Sequence, residues 1–535
     1  PGGGWREQTF NYPDTTYSLK TTMDNSRGGI NHNIRLGSDF YFTPNDVLKV
    51  SAVYSRGNEE NESEITYKEY SGGNFNSDEM TQRSIRDELE EETEGDYELN
   101  LNYTKTFGKE DHELTADLQA RNNIEIEDAN LTETRYYPGQ PTDTSLFQSS
   151  LNDSKVNAYL GKIDYTWPFS KDGKFSTGFR GEYRTIENKY YVDQRKSANE
   201  PWERLSRFSN TFLYHEEIYG VYAMYKNKWH NISYEGGLRI EYTGITTGLE
   251  TENEDNNRSY FNFFPSLAFT YHLSKVNSLQ LSYSRRINRP YFRQLNPFNT
   301  FRDNRNYRTG NPDLHPEFTG AYDLGYVKNQ DKSTFYAGAF YRRTINDIEG
   351  VDTVNNKGVT VSKPYNLASR DNFGLEVRYG RSILDWWDFD VSSFFYRGET
   401  TGNAANEDLN ATTYTMDARI STNIDVKDWF EIQINADYRA PEKEGQDIER
   451  AMYDINAGIR KDLFNDKGRI VFSVRDIFNT HFYQSKTIGN YFTAEQKHQW
   501  RQGPFFSLSF SYELKHQESK KESETIFESG NEDPF

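Results

Sequence analysis

The sequence predicts an all-β chain, a transmembrane antiparallel β-barrel with about twenty strands visible. Three observations carry this. Apolar and polar residues alternate with period 2 almost from end to end, as in Phe430, Ile432, Ile434, Ala436 and Tyr438 against Glu431, Gln433, Asn435, Asp437 and Arg439. Charges fall on one face only, the pattern of strands that meet lipid on one side and a polar lumen on the other. Short turns alternate with long polar connections, and of eight tryptophans Trp167, Trp229, Trp386, Trp387 and Trp429 lie at or beside the short turns.

Composition fits only when this architecture is assumed. A 535-residue chain with net charge -20 and 27% charged residues and a mean hydropathy of -0.95 has the profile of an acidic soluble protein, yet 16% of it is aromatic. No run approaches the roughly 18 apolar residues that a membrane helix needs. In a barrel only alternate residues face lipid, so mean hydropathy conceals insertion. The absence of cysteine removes disulfide scaffolds, thiol catalysis and Cys-ligated metals. Acidity argues against a nucleic-acid partner. No signal peptide is visible, so Pro1 is expected to be a mature terminus or the edge of a fragment.

Taken in order, Ile34, Leu36, Phe40 and Phe42 alternate with polar neighbours, Pro44-Asn45-Asp46 turns the chain, and Leu48, Val50, Ala52 and Tyr54 resume the pattern. That is a hairpin. The unit recurs with turns near Phe107–Asp111, Ser170–Gly173, Lys226–Lys228, Leu273–Asn277, Lys328–Asp331, Asp385–Asp388, Val426–Asp428 and Asn465–Gly468. These turns, one strand before Ile34 and a last strand from Phe506 to Leu514 set the strand count. A β-sandwich shows the same alternation, but seldom needs strands of ten or more residues between such regular turns. The other strand ends are joined by long polar segments, among them 56–94, 122–152, 184–210 and 479–499. The tryptophans then form an aromatic girdle at the short-turn end.

One stretch, Arg285 to Phe318, interrupts the alternation with Pro290, Pro297, Pro312 and Pro316 and is expected to be a loop, because proline cannot sit inside a paired sheet. Its wording, Arg285, Asn288-Arg289-Pro290, Leu295-Asn296-Pro297-Phe298 and Gly310-Asn311-Pro312-Asp313-Leu314-His315-Pro316-Glu317, resembles an extracellular loop of TonB-dependent outer-membrane receptors, most closely the branch found in Bacteroidota. The resemblance implies a bacterial outer-membrane location surrounded by lipid, long loops outside the cell, and short turns in the periplasm. It implies twenty-two strands behind an N-terminal plug through which TonB delivers energy, so the first strands and the plug are expected to be missing. The expected organisation is a barrel over 1–514 and an acidic periplasmic tail over 515–535.

Chemical motifs are sparse. There is no G-x-S-x-G, no H-E-x-x-H and no Gly-rich phosphate loop, and the histidines are scattered, so no enzyme, cofactor or metal is expected. His230 and His272 are read as structural. Arg285, Arg286, Arg289, Arg302, Arg305 and Arg308 either present a cationic mouth to an anionic ligand or pair with Glu317 across the rim of a proline-stiffened loop. Tyr136, Tyr137, Tyr190, Tyr191, Trp202 and Tyr483 either stack on a sugar or peptide or pack loop against loop. The acidic run with Glu88, Glu90, Glu91, Glu92, Glu94 and Asp96 is either a cation-binding segment or a solvated surface. Two functions are open: an active transporter, or a transporter-like barrel serving as a structural subunit with other outer-membrane proteins or lipoproteins. The hint for the second is the tail, whose Ile526 and Phe527 offer apolar anchors to a partner.

Overall fold

In the computed structural model the described residues are 2–512 apart from 141–143, 251–253, 299, 302–304, 356–357, 428, 465–466 and 500–502. Nearly all strands join one 25-stranded sheet. Its backbone is a meander in which successive strands pair antiparallel, from Thr15–Thr43 with Asp46–Tyr70 onward to Gly468–Arg475 with Phe505–Tyr512. Five members, Glu203–Arg204, Glu442–Glu444, Asp447–Glu449, Tyr483–Ile488 and Phe492–Gln499, are short segments within connections. The remainder are about twenty staves, the number that the turns predict.

The wall closes at the long-loop end, where Gly2–Tyr12 pairs with Thr15–Thr43 on one side and with Phe492–Gln499 on the other, Gly4 opposite His498. Below that level Ser26 to Thr43 pair only with Asp46–Tyr70, and Phe505–Tyr512 only with Gly468–Arg475, among the described residues. These two edges flank a seam.

Register assigns the faces. On Phe430–Arg439, Ile432 stands between Ile424 and Ile459, and Ala436 between Ile420 and Ile455. The alternate face is a polar ladder: Glu431 pairs with Arg460 at 3.3 Å, Asn435 accepts from Ser421 at 2.7 Å, and Arg439 meets Asp417 at 3.2 Å. On the final strand Leu508, Phe510 and Tyr512 are exposed outward, Leu508 by 74%, while Ser507 meets Ser473 at 2.7 Å on the other face. A closed apolar core would have reversed this order, so outward Ile434, Leu508 and Phe510 identify the lipid face.

Tryptophans 167, 229, 386 and 429 are exposed at the short-turn end. A second belt circles the wall further up, which the sequence reading missed. Tyr54 opposes Tyr97, Tyr159 opposes Tyr183, Tyr219 opposes Tyr242, and Tyr322 lies between Tyr283 and Tyr341. Along Asn210–Trp229, Tyr219 stands ten residues from Trp229. At a rise of ~3.3 Å per residue and a tilt of ~40° the two belts are ~25 Å apart, the height of a barrel's apolar band.

The long polar connections are shorter than expected. Asp46–Tyr70 and Met80–Thr106 run through most of 56–94 with Glu59 opposite Glu92, leaving only 71–79 between them. Glu113–Tyr136 and Thr144–Pro168 do the same for 122–152. Above the upper belt both faces meet water, so the period-2 signal disappears while the backbone ladder persists to satisfy its own N–H and C=O groups.

Candidate functional site

The lumen at the long-loop end is filled by the chain's own connections. After Asn277–Asn288 the chain leaves the wall at Pro290, makes one helical turn at Phe292–Leu295, and crosses the lumen before re-entering the wall at Glu317. Asn306–Arg308 pairs in parallel with Thr360–Asn366, which pairs with Ile348–Val354. With Thr300–Phe301 they form a four-stranded sheet separate from the wall.

Apolar contacts fix one side of this cap. Leu295 and Leu314 are buried against inward-facing Ile186, Phe212, Tyr214, Ile245 and Leu249 of the wall. Asn256 and Arg258 hold the backbone carbonyls of Pro312 and Leu314, and Arg258 also reaches Asp313 at 3.3 Å. Between wall and cap lies a cavity of ≈ 720 Å³, lined by Thr247, Asn256, Arg258 and Tyr260 on the wall and by Pro290, Leu295, Leu314 and His315 on the cap. That volume falls in the range of small-molecule pockets.

Charge fixes the other side. Arg305 donates to Glu69 at 2.9 and 3.1 Å, to Ser84 at 3.1 Å and to Glu133 at 3.2 Å, with its guanidinium 4.1 Å from the centre of the Tyr67 ring. Arg289 donates to Glu241 at 2.6 Å and Thr243 at 3.0 Å. The 346–368 hairpin reaches Gln8 through Thr360 and Tyr12 through the Asn355 carbonyl. At its base Arg370 bridges Asp347, at 3.0 Å, with Glu349 and Glu444. Burial pushes the Asp347 carboxyl up to about 6, with Arg370 opposing the rise and Glu349 adding to it.

The structure therefore separates the arginines that the sequence grouped. Arg289 and Arg305 are consumed in ion pairs inside the lumen. Arg286 faces the lumen two positions from Ser284, and Arg308 is exposed on the inner sheet. Arg285 points outward over the Phe318 ring at 4.8 Å. Arg302, Ile526 and Phe527 lie outside the described residues. Glu317, expected to pair with arginine, instead accepts from Asn288 at 2.7 Å and from the Ile348 amide at 2.6 Å.

The aromatic candidates are likewise dispersed. Tyr190 packs on Val192 and Phe208, while Tyr191 takes Arg204 over its ring at 4.4 Å. Arg195 covers Trp202 at 4.5 Å, and Arg83 lies 5.9 Å from Tyr136. Tyr137 is half-buried just beyond its strand. In the acidic segment, alternation sends Glu90, Glu92, Glu94 and Asp96 inward, where amides and arginines meet them: Asn61 with Glu90 at 2.7 Å, Asn123 with Glu94 at 3.2 Å, and Arg121 with Asp96 at 2.8 Å. Glu92, Glu125 and Glu127 place carboxylate atoms within 4.8 Å of one another, a geometry that can hold a cation, with Arg27 already paired to Glu92 at 3.0 Å. Sequence reasoning did not find Tyr67, Glu69, Ser84 and Glu133, because their link to Arg305 spans strands remote in the chain.

Residues 105–512, more than half of the chain, match the model of the outer membrane protein beta-barrel family. The chain belongs to that family. This agrees with the outward apolar face and the two aromatic belts, and it locates the barrel in the outer membrane. Its fold is that of receptor and transporter barrels. It is similar to the copper transporter OprC (TM-score 0.54, 12% identity, covering 94% of this chain and 80% of that one). It is also similar to a chain of the FpvAI–pyocin S2 complex (0.51, 11%, 94% and 73%) and to the FrpB iron transporter from Neisseria meningitidis (0.50, 10%, 94% and 82%). No curated protein matches the sequence.

Proposed function

We propose that this outer-membrane barrel is a TonB-dependent receptor that takes up a scarce ligand, with its capped long-loop end outside the cell and its short turns and C-terminal tail in the periplasm. The observation that carries this is the cap. A wall of this circumference encloses an aqueous channel unless something occupies it, and here loops fill the mouth while leaving a pocket between cap and wall. A structural subunit needs no such pocket. The printed names of two barrels of the same fold, a copper transporter and an iron transporter, support metal or metal-chelate cargo as the first class to try.

Orientation and transport are separately testable. The chain has no cysteine, so Ala198→Cys in a long connection and Lys171→Cys in a short turn are unique labelling sites. An impermeant maleimide on intact cells should label the first alone; labelling of the second alone would invert the topology. Accumulation of radiolabelled copper and iron chelates should require both the receptor and TonB. Equal accumulation without TonB, together with proteins that co-purify with the full chain but not with one ending at Leu514, would favour the structural-subunit function.

A further inference from the structure

We infer that the outward face formed by Asn277–Asn288, Glu317–Gln330 and Ser333–Ile345 binds the exposed phosphate of a membrane lipid in the leaflet at the long-loop end. The inference concerns the lipid face and is independent of the cargo in the lumen.

Register places Arg285 opposite Gly320 and Gly320 opposite Arg343. Two residues nearer the membrane centre the same three strands carry Tyr283, Tyr322 and Tyr341, with ring centres 4.7 and 6.0 Å apart. Residues two apart share a face, so both arginines project on the side of exposed Tyr322, immediately above the tyrosine belt. Gly320 leaves a notch between them: a Cβ built there meets nothing nearer than the edges of Tyr283 and Tyr322 at 3.9 Å. Arginines rim this notch and tyrosine rings floor it.

Among the described residues Arg285 has no acid beside it, and Arg343 has only one that it shares. Arg285 rests on Phe318 and has no carboxylate partner among the described residues. Arg343 is 56% exposed and forms a long ion pair, 3.8 Å, with Asp371 opposite it in register, an acid that also accepts the Tyr341 hydroxyl at 2.6 Å. Arg397, level with Tyr341 across Phe373, is matched instead by Glu399 on its own strand at 2.8 Å. A guanidinium fork suits the oxygens of a phosphate, and the interface strengthens that attraction by lowering the local dielectric. Below the belt, exposed Leu281 and Leu324 offer a surface for acyl chains. That apolar surface favours a lipid over free phosphate.

Native mass spectrometry of the delipidated full chain, titrated with phosphatidic acid, phosphatidylcholine of the same acyl chains, and glycerol phosphate, tests this. Phosphatidic acid should be retained about tenfold more tightly than phosphatidylcholine, and glycerol phosphate should not compete. The double variant Arg285→Gln/Arg343→Gln should lose the preference, Arg397→Gln should keep it, and Gly320→Leu, which fills the notch and keeps both charges, should also lose it. Heat-dependent gel mobility reports folding of each variant. Equal retention of the two lipids by the unaltered chain would mean annular lipid only and overturn the site. Competition by glycerol phosphate would overturn its assignment to a lipid, and an undiminished preference in Gly320→Leu and the double variant would remove these residues from it.

Discussion

Replacing Arg305 with alanine should loosen the cap without unfolding the wall. The side chain is 13% exposed and bridges two acids, of which Glu133 is 2% exposed and Glu69 36% exposed. Once Arg305 is gone, Glu69 returns to water and Glu133 retains Arg135 at 3.2 Å. The loss is therefore smaller than for a fully stranded buried charge, on the order of 2–3 kcal/mol. It falls on the segment Arg305 anchors, so amide protection where Asn306–Arg308 pairs with Thr360–Ser362 should drop roughly 30- to 150-fold. Hydrogen–deuterium exchange in nanodiscs reads this, with Phe505–Tyr512 as the wall control. Arg305→Lys keeps the charge but loses the fork, so it should be intermediate. Unchanged protection of the 306–308 and 360–362 pairing in Arg305→Ala would refute the anchoring role.

Other consequences are measurable in the same system. Ile432→Arg on the lipid face should cost roughly 2–4 kcal/mol near the midplane, whereas Gln433→Arg should be tolerated, as read by guanidinium unfolding in vesicles. Leu295→Ala removes a buried contact between cap and wall and should cost about 2–4 kcal/mol of local stability, visible as faster exchange at 292–296. The Asp347 carboxyl titrates near 6 in the folded chain against an ordinary value of 3.8. The folded state therefore holds the proton more tightly. The contribution is most favourable below 3.8 and is lost as pH rises through 6, so cap exchange should speed up across that window and Asp347→Asn should flatten the response. Trp229 and Trp429, exposed at the short-turn end, should be quenched more by lipids brominated near the headgroup than by lipids brominated at the chain ends.

The wall was legible because lipid enforces a rule on every other residue. Ile432, Ile434, Leu508 and Phe510 could be assigned to a face from spacing alone, and the short turns fixed the stave count. Above the tyrosine belt the rule lapses, so Glu59 and Glu92 resembled loop residues although they are paired strand residues. The tyrosine belt showed in the spacing only at Tyr219, ten positions from Trp229, a signal obscured by the abundance of tyrosine elsewhere. The cap was not legible. Arg305 meets Glu69 and Glu133 across 236 and 172 residues of chain, and nothing local to the loop encodes which wall it will touch.

The meander has a kinetic consequence. Many staves pair with one a few residues away, so much of the wall can zip up through loop closures costing about 1 kcal/mol apiece. The junction of Gly2–Tyr12 with Phe492–Gln499 joins opposite ends of the chain, and its closure entropy is nearer ~5 kcal/mol. Ring closure should accordingly be the slow step of assembly. Substitutions that weaken Phe10 against Phe492, both buried, should delay folding out of proportion to their effect on the finished barrel.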